Sequence, residues 1–292
     1  MRVNLNHETS NLDVSVVICT KNAAETIEAV LQPILAQRPL EIIIVDGHSI
    51  DTTVEMARPY ATRVVIDPGK GLAVARNLGL RAAKGEYVCF IGADNVLSED
   101  TLGRLKSYLL EKNYVGVAAL TRIYTEGRNY FVRGADLRWQ LRFREGAREV
   151  IGTPYMFKRE VLLALGFDDS MSWSDDSDLA VRLKANGLQV GYSDVVCMEI
   201  GYESFRSLVR RFQMYGLSDY EYYSKYSPGW TLKRKIYSGL HPFLAEFVTP
   251  LKTSSAPFRV ATYIPFFAMI SLIRYYGFVM SALMHGGKER II

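Results

Sequence analysis

Cysteine is scarce in this chain of 292 residues. Its three thiols, Cys19, Cys89 and Cys197, lie far apart in apolar runs, without the spacing of a metal site or a disulfide framework. Buried free thiols in a reducing compartment are the expected reading. Charge of one sign is lacking too. Lys and Arg number 35 against 31 Asp and Glu, a net +4, which argues against a nucleic-acid binder with its excess gathered on one face. No apolar leader is visible in residues 1–13, so no signal peptide is expected. No Gly-x-Gly-x-x-Gly opens the first helical segment, and Gly69-Lys70-Gly71 lacks P-loop spacing, which disfavours dinucleotide and P-loop folds. Hydrophobic residues, by contrast, are plentiful: 49% of the chain, mean hydropathy +0.02, with the surplus in roughly the last sixty positions. The length suits one large α/β domain plus an appendage.

What is present is an alternation of β-branched runs with amphipathic segments. Residues 14–19 read as a strand, 24–36 as a helix, 41–45 as a strand, 52–60 as a short helix, 63–66 as a strand and 72–83 as a helix. Residues 87–91 form a further buried strand, ending in Gly92-Ala93-Asp94-Asn95. This β-α-β-α order implies right-handed crossovers and a parallel sheet. The strand ends carry polar residues: Thr20-Lys21-Asn22, Asp46, Asp67 to Gly71, and Asp94. Taken singly, each is a turn or a helix cap, and Asp94 or Ser98 would cap the next helix. Taken together they line the edge where open α/β sheets bind ligands. Carboxylates there can accept from a base or ribose and hold a hard divalent cation. Lys70, Arg76 and the Gly69/Gly71 backbone can meet phosphates.

Farther along, Asp175, Asp176 and Asp178 crowd the first turn of a helix after Trp173-Ser174. Capping and dipole complementarity explain one or two acids, at about 0.3–1 kcal/mol each. A third raises the pKa of its neighbours, which is what a general base requires.

These residues resemble the glycosyltransferase family 2 pattern on a GT-A fold. The matching pieces are Ser15-Val-Val-Ile-Cys-Thr-Lys-Asn22, Val45-Asp-Gly-His-Ser-Ile-Asp51, Gly69-Lys-Gly-Leu-Ala-Val-Ala-Arg-Asn-Leu-Gly79 and Gly85-Glu-Tyr-Val-Cys-Phe-Ile-Gly-Ala-Asp94. The resemblance implies a mixed, mostly parallel sheet flanked by helices, with Thr20, Lys21, Asn22 and Asp46 around the nucleoside. It implies a metal, Mn²⁺ or Mg²⁺, at an Asp-x-Asp of which Gly92 replaces the first member and Asp94 remains. Asp176 is then the base that deprotonates an acceptor hydroxyl, Asp175 an acceptor contact or its support, and the transfer inverts the anomeric centre. Expected boundaries are a catalytic domain over 12–202 (donor half 12–95, acceptor half 96–202), an amphipathic interface helix over 203–227 and a membrane region over 228–292.

The segment 121–150 is rich in Arg and aromatics, including Arg122, Arg128, Arg138, Trp139 and Arg142. It reads either as a solvated helix with an apolar stripe or as a segment that meets an anionic acceptor. In 203–226 one helical face is apolar and arginines lie off it, as in an interfacial helix or a core helix. Processive relatives carry Gln-x-x-Arg-Trp hereabouts. This chain offers only Leu208-x-x-Arg211-Phe212, so polymer synthesis is not expected; acceptor contacts are assigned to Trp173, Arg211 and Phe212. Residues 260–284, with Pro265 as a kink, would reach about 37 Å, enough for a ~30 Å hydrocarbon core. Basic residues at 233–235 and at Lys288 and Arg290 favour a hairpin whose first arm, 236–251, either spans the membrane or lies in its interface, with the catalytic domain on the cytoplasmic side of the cell membrane.

The partners implied are a nucleotide-sugar donor, a membrane and a polyprenyl- or dolichyl-linked acceptor, either the phosphate itself or a sugar hydroxyl. GDP-mannose leads by resemblance to membrane-bound mannosyltransferases; a UDP-sugar-dependent transferase of envelope polysaccharide or glycolipid stays open. A nucleotidyltransferase would need a Gly-rich basic loop directly after the first strand, which Thr20-Lys21-Asn22 does not supply. A catalytically inactive binding subunit is favoured only by Gly92.

Overall fold

A computed structural model describes residues 12–125, 129–200, 204–253 and 257–286. Arg128, Lys288 and Arg290 lie outside the described residues, as does the polar 1–11 segment. The chain forms two compact units: Met1–Arg122, Arg144–Met171 and Asp175–Gly201 make the first, and Ile123–Phe143, Ser172–Ser174 and Tyr202–Ile292 the second.

The first unit is a mixed sheet flanked by helices. Its elements are β1 (Val14–Thr20), α1 (Ile27–Ala36), β2 (Glu41–Asp46), α2 (Thr53–Ala57), β3 (Arg63–Ile66), α3 (Leu72–Ala82), β4 (Tyr87–Phe90), β5 (Asn95–Val96), α4 (Thr101–Glu111) and β6 (Gly116–Ile123). After α5 (Tyr130–Arg142), which belongs to the second unit, come β7 (Gly146–Arg148), β8 (Tyr155–Lys158), α6 (Arg159–Leu165), α7 (Asp175–Ala185) and β9 (Val190–Glu199). Strand order is β3-β2-β1-β4-β8-β6-β9-β5, with β7 beside β9. The expected parallel block is present: β1 pairs in parallel with β2 and β4, and β2 with β3. Beyond β4 the sheet turns antiparallel through β8.

Burial explains the block. Val16, Val17, Ile18, Ile43, Ile44 and Val45 are fully buried, as both faces of a helix-covered sheet require. On α1, Ile27, Val30, Leu31 and Ile34 recur at helical spacing and are fully buried too, each contributing about 1.5–3 kcal/mol. The helix starts later than its apolar pattern, because the Thr26 and Ile27 amides close a turn on the Ala23 carbonyl. Neither Asp94 nor Ser98 is the N-cap of the next helix: Asn95–Val96 forms β5 against β9, and α4 opens at Thr101 after Asp100.

The second unit holds α5, α8 (Phe205–Tyr226), α9 (Leu232–Gly239), α10 (His241–Phe243), a π-turn over Leu244–Val248, α11 (Thr249–Thr253), α12 (Pro257–Ala261) and α13 (Ile264–Gly286). Its core gathers Val132, Ala135, Leu208, Phe212, Phe266, Phe267 and Ile270. A Cβ at Gly216 would lie 2.0 Å from the Arg274 carbonyl oxygen, and one at Gly277 2.2 Å from that of Gln213, so α8 and α13 touch backbone to backbone. Arg274 turns inward onto both oxygens of Asp219 (2.6 and 2.7 Å) and onto Glu246, which also receives Arg138. Arg138 is thus buried inside the unit, and the picture of a solvated helix fails for that residue.

Two membrane expectations change. The run 236–251 is broken at Leu240 and carries the buried Glu246, so it forms no spanning first arm. Pro265 does not kink a helix; the chain breaks after α12 and Pro265 occupies the first turn of α13, where its missing N–H is harmless. Among the described residues one helix, Ile264–Met284, is long and apolar enough to cross a bilayer, and 39% of its most apolar stretch is buried. Core helices pass the same test.

Candidate active site

The ends of β1, β2 and β3 are tied into one edge. The Gly47 amide donates to the Thr20 carbonyl at 2.8 Å and the Asp67 amide to that of Asp46 at 2.9 Å. Asp46 is buried and accepts from the Ser49 amide (3.0 Å) and hydroxyl (2.5 Å). Asn22, at φ +52°, accepts from the Ile50 amide at 2.9 Å, and its own amide donates to Ser49 Oγ at 2.9 Å. Asn22 and Asp46 therefore shape the 46–51 loop. Asp51 accepts from the Thr53 hydroxyl, the first cause that holds its carboxyl below the usual range. Thr20 Oγ1 is buried without a hydrogen-bond partner, while Lys21 and Lys70 are exposed. A buried, unsatisfied hydroxyl beside exposed amines is a group that a polar ligand can complete.

Asp94 sits on the turn after β4. There the Gly92 amide donates to Asn95 Oδ1 and the Asn95 amide to the Gly92 carbonyl, both at 3.0 Å. A Cβ at residue 92 would meet Asp94 Oδ1 at 2.6 Å and Asn95 Oδ1 at 2.7 Å, so an aspartate there would force the turn open. Among the described residues no group of three His, Cys, Asp or Glu side chains converges as a metal site. One carboxylate fits a hard cation that arrives with a diphosphate and takes most of its ligands from phosphate and water.

The acids of α7 divide into three roles. Asp175 is buried and paired with Arg76 of α3 at 2.5 Å. Asp178, also buried, receives Arg182 Nε at 2.8 Å within its own helix. Asp176 forms no ion pair among the described residues; its Oδ1 accepts from the Ser177 amide at 2.6 Å. Burial first, and the Asp175 carboxylate next, push Asp176 up to about 6, against the pull of Arg76. Arg76, expected among the phosphate-binding groups, is therefore committed to the acid pair. Its guanidinium also lies 5.7 Å from the Tyr155 ring centre and 5.6 Å from that of Phe167. Asn77 fixes the same helix to the 167–169 loop through Phe167 and Asp169. A crevice holds Asp176 beside Glu149, Tyr155, Phe157, Leu179 and Leu183.

The sequence pattern of Glycosyl transferase family 2 covers residues 15–163. The chain belongs to that family. Curated relatives include the minor teichoic acid biosynthesis protein GgaB of Bacillus subtilis, 28% identical over 135 residues, 42% of this chain and 15% of the relative. Another is the cholesterol galactosyltransferase of Borreliella burgdorferi, 34% identical over 96 residues, 30% of this chain and 27% of the relative. The matches thus span between about a seventh and a quarter of those relatives. Among solved structures, the mannosyltransferase of Pyrobaculum calidifontis in complex with GDP-Man and Mn²⁺ aligns with a TM-score of 0.68 at 22% identity, over 92% of this chain and 86% of that one. Glucosyl-3-phosphoglycerate synthase of Mycobacterium tuberculosis aligns at 0.54 and 20%, over 72% and 78%. At these identities the likeness is one of fold, and the fold is GT-A.

The expected acceptor contacts of this family 2 chain fall in the second unit. Trp173 is 46% exposed, and Arg211 is half-buried on α8. Phe212 is 1% exposed in the unit's core and offers a ligand nothing, a correction that follows from the apolar stripe of α8 facing inward. Tyr155 was not singled out from the sequence. Its hydroxyl is buried without a partner, and burial above all holds it protonated. Cys19, a neighbour of Arg76, is pushed up to about 12 by burial and is an inert thiol.

Proposed function

We propose that this chain is an inverting hexosyltransferase that moves a sugar from a nucleoside diphosphate onto a hydroxyl of a polyprenyl-linked acceptor. The observation that carries the reading is the acid pair of α7 in a family 2 chain: Asp176 is raised to about 6 and unpaired, while Asp175 is held by Arg76. A base of that pKa is ionised at neutral pH and still strong enough to take a developing proton. The acceptor oxygen bonds to the anomeric carbon as the bond to the diphosphate oxygen breaks, and the acceptor proton passes to the Asp176 carboxylate. Arg76 holds the Asp175 carboxylate in place beside Asp176, whose basicity its charge raises. Thr20, Lys21, Asn22 and Asp46 frame the nucleoside, and Lys70 meets phosphate. Asp94 would hold a divalent cation, Mn²⁺ or Mg²⁺, which neutralises charge on the departing diphosphate.

GDP-mannose is the preferred donor on the fold likeness to the mannosyltransferase solved with GDP-Man and Mn²⁺. A lipid-linked acceptor at the cytoplasmic face of a membrane is preferred on the single long apolar helix. A second reading, an inactive binding subunit, draws on Gly92 and the single metal-site carboxylate. The deciding assay is turnover of GDP-mannose, UDP-glucose and UDP-N-acetylglucosamine by solubilised protein, with and without Mn²⁺ and polyprenyl-linked acceptors. One donor cleaved only with metal, and silenced in Asp176→Asn and Asp94→Ala, supports the transferase. Binding of a donor without turnover of any supports the subunit. Turnover that needs lipid yet survives Asp176→Asn transfers the acceptor role to a lipid phosphate.

A further inference from the structure

The segment that delivers the acid pair is short and exposed at two of its three residues. Ser172 and Trp173 lie at the surface, Ser174 is fully buried, and the next peptide bond leads into Asp175 and Asp176. A helix that starts there leaves amides to satisfy, and a loop of this kind has no ladder partner of its own. Its partner comes from 47 to 49 residues away. Glu221 of α8 accepts from the Ser172 amide through Oε1 at 2.7 Å, and through Oε2 from the Trp173 amide at 2.8 Å, the Ser174 amide at 2.9 Å and the Ser174 hydroxyl at 3.0 Å. One carboxylate thus receives three consecutive amides and a hydroxyl, all in the charge-assisted geometry that gives short, directional bonds. Loop and helix belong to the same unit, and the chain passes into the catalytic unit at the Ser174–Asp175 bond.

We infer that Glu221 is a positioning residue for the catalytic base, holding the 172–174 loop so that Asp176 keeps its place. The inference rests on the transferase reading for what the base does, and on the four hydrogen bonds alone for what Glu221 does. Nothing in the sequence around Glu221 marks it, since it stands among tyrosines in a helix that reads as amphipathic filler. Yet α8 carries loads on two sides. Asp219, two residues earlier, clasps Arg274 of α13, and Gly216 lets α13 come into backbone contact.

A carboxylate is needed because one group must accept four donors. Gln retains one acceptor oxygen and brings an amide that donates where acceptance is required; Ala retains nothing. Activity should therefore fall in the order wild type, Glu221→Gln, Glu221→Ala. The experiment combines steady-state kinetics with amide hydrogen exchange on the full chain. Expected for Glu221→Gln is at least a tenfold loss of kcat with donor KM within about twofold. The acid limb of kcat/KM should move from about 6 toward the ordinary carboxylate range as Asp176 becomes hydrated. Exchange at residues 172–176 should quicken at least tenfold while the β1 and β2 amides stay protected. Asp176 feels Asp175 on its own helix, Arg76 on α3, and Glu149 and Tyr155 across the crevice, and none of these is altered by the substitution.

Unchanged kcat in both variants overturns the inference, whatever the exchange shows. A fall in kcat that tracks a fall in Tm, with the acid limb still at about 6, overturns it too, because Glu221 would then serve folding alone. If wild-type protein turns over no donor at all, the transferase reading fails by itself. The exchange arm still decides the clamp, and equal exchange in wild type and variant refutes it.

Discussion

At the scale of single residues, Asp176 differs from Asp175 and Asp178 in forming no ion pair among the described residues. Asp175 has Arg76 and Asp178 has Arg182, so burial acts on Asp176 with least compensation. The sign of the pH dependence follows. The base must be ionised, so kcat/KM is flat above about 6 and falls tenfold per unit below it. Asp176→Asn should lose about 10²–10⁴-fold and show no such limb, as read from a pH–rate profile of both proteins. From the sequence, three acids in one turn were visible as an excess. The resemblance named Asp176 as the base, and the Asp178–Arg182 pair has a legible i,i+4 spacing; that Asp175 is taken by a cation was not legible, because Arg76 comes from α3, 99 residues away. The same holds at Gly92. The substitution was legible in the motif; the crowding of Asp94 and Asn95 over that position was not.

At the scale of elements, the parallel strands and α1 were legible because their periodicity is a local property that burial then enforces. Boundaries slipped where hydrogen bonds to neighbouring segments won. The Ala23 carbonyl delayed α1, and β9 captured residues 95–96 into β5 where a helix cap had seemed equally good. The short strands β5 and β7 exist only through their partner and carry no pattern of their own. In the second unit, the contact of α8 with α13 depends on two glycines lying at their crossing. Gly216→Leu should lower stability by at least about 1–3 kcal/mol through overpacking, since its neighbours are backbone atoms that cannot rotate away. Chemical denaturation of the variant checks this; an unchanged midpoint would mean that the helices part in solution.

At the scale of the whole molecule, the chain divides between two units and crosses from one to the other more than once, with α5 and residues 172–174 clustering with the C-terminal helices. A reading along the chain assigned both segments to a catalytic domain over 12–202, because sequence proximity was the only guide. The metal question also belongs here. Among the described residues no preformed set of three ligands awaits a cation. Chelation should therefore abolish turnover, with recovery on adding Mn²⁺, while the Tm of donor-free protein moves by less than about 1 °C. Donor and Mn²⁺ together should raise Tm, as binding to the folded state alone requires. A large Tm loss on chelation without donor would reveal a structural metal instead.

What the amino-acid sequence determined by itself was the class of fold, its parallel half and the family. These follow from local periodicity and from short motifs whose residues are neighbours in the chain. Only the tertiary structure decided which acid is left unpaired, that Arg76 serves the acid pair, that Phe212 is core, and that Glu221 grips the loop before the base. Arg76 and Glu221 meet partners tens of residues away, and pairing at that distance leaves no periodic trace in the sequence, while the burial of Phe212 depends on what the apolar face of α8 packs against.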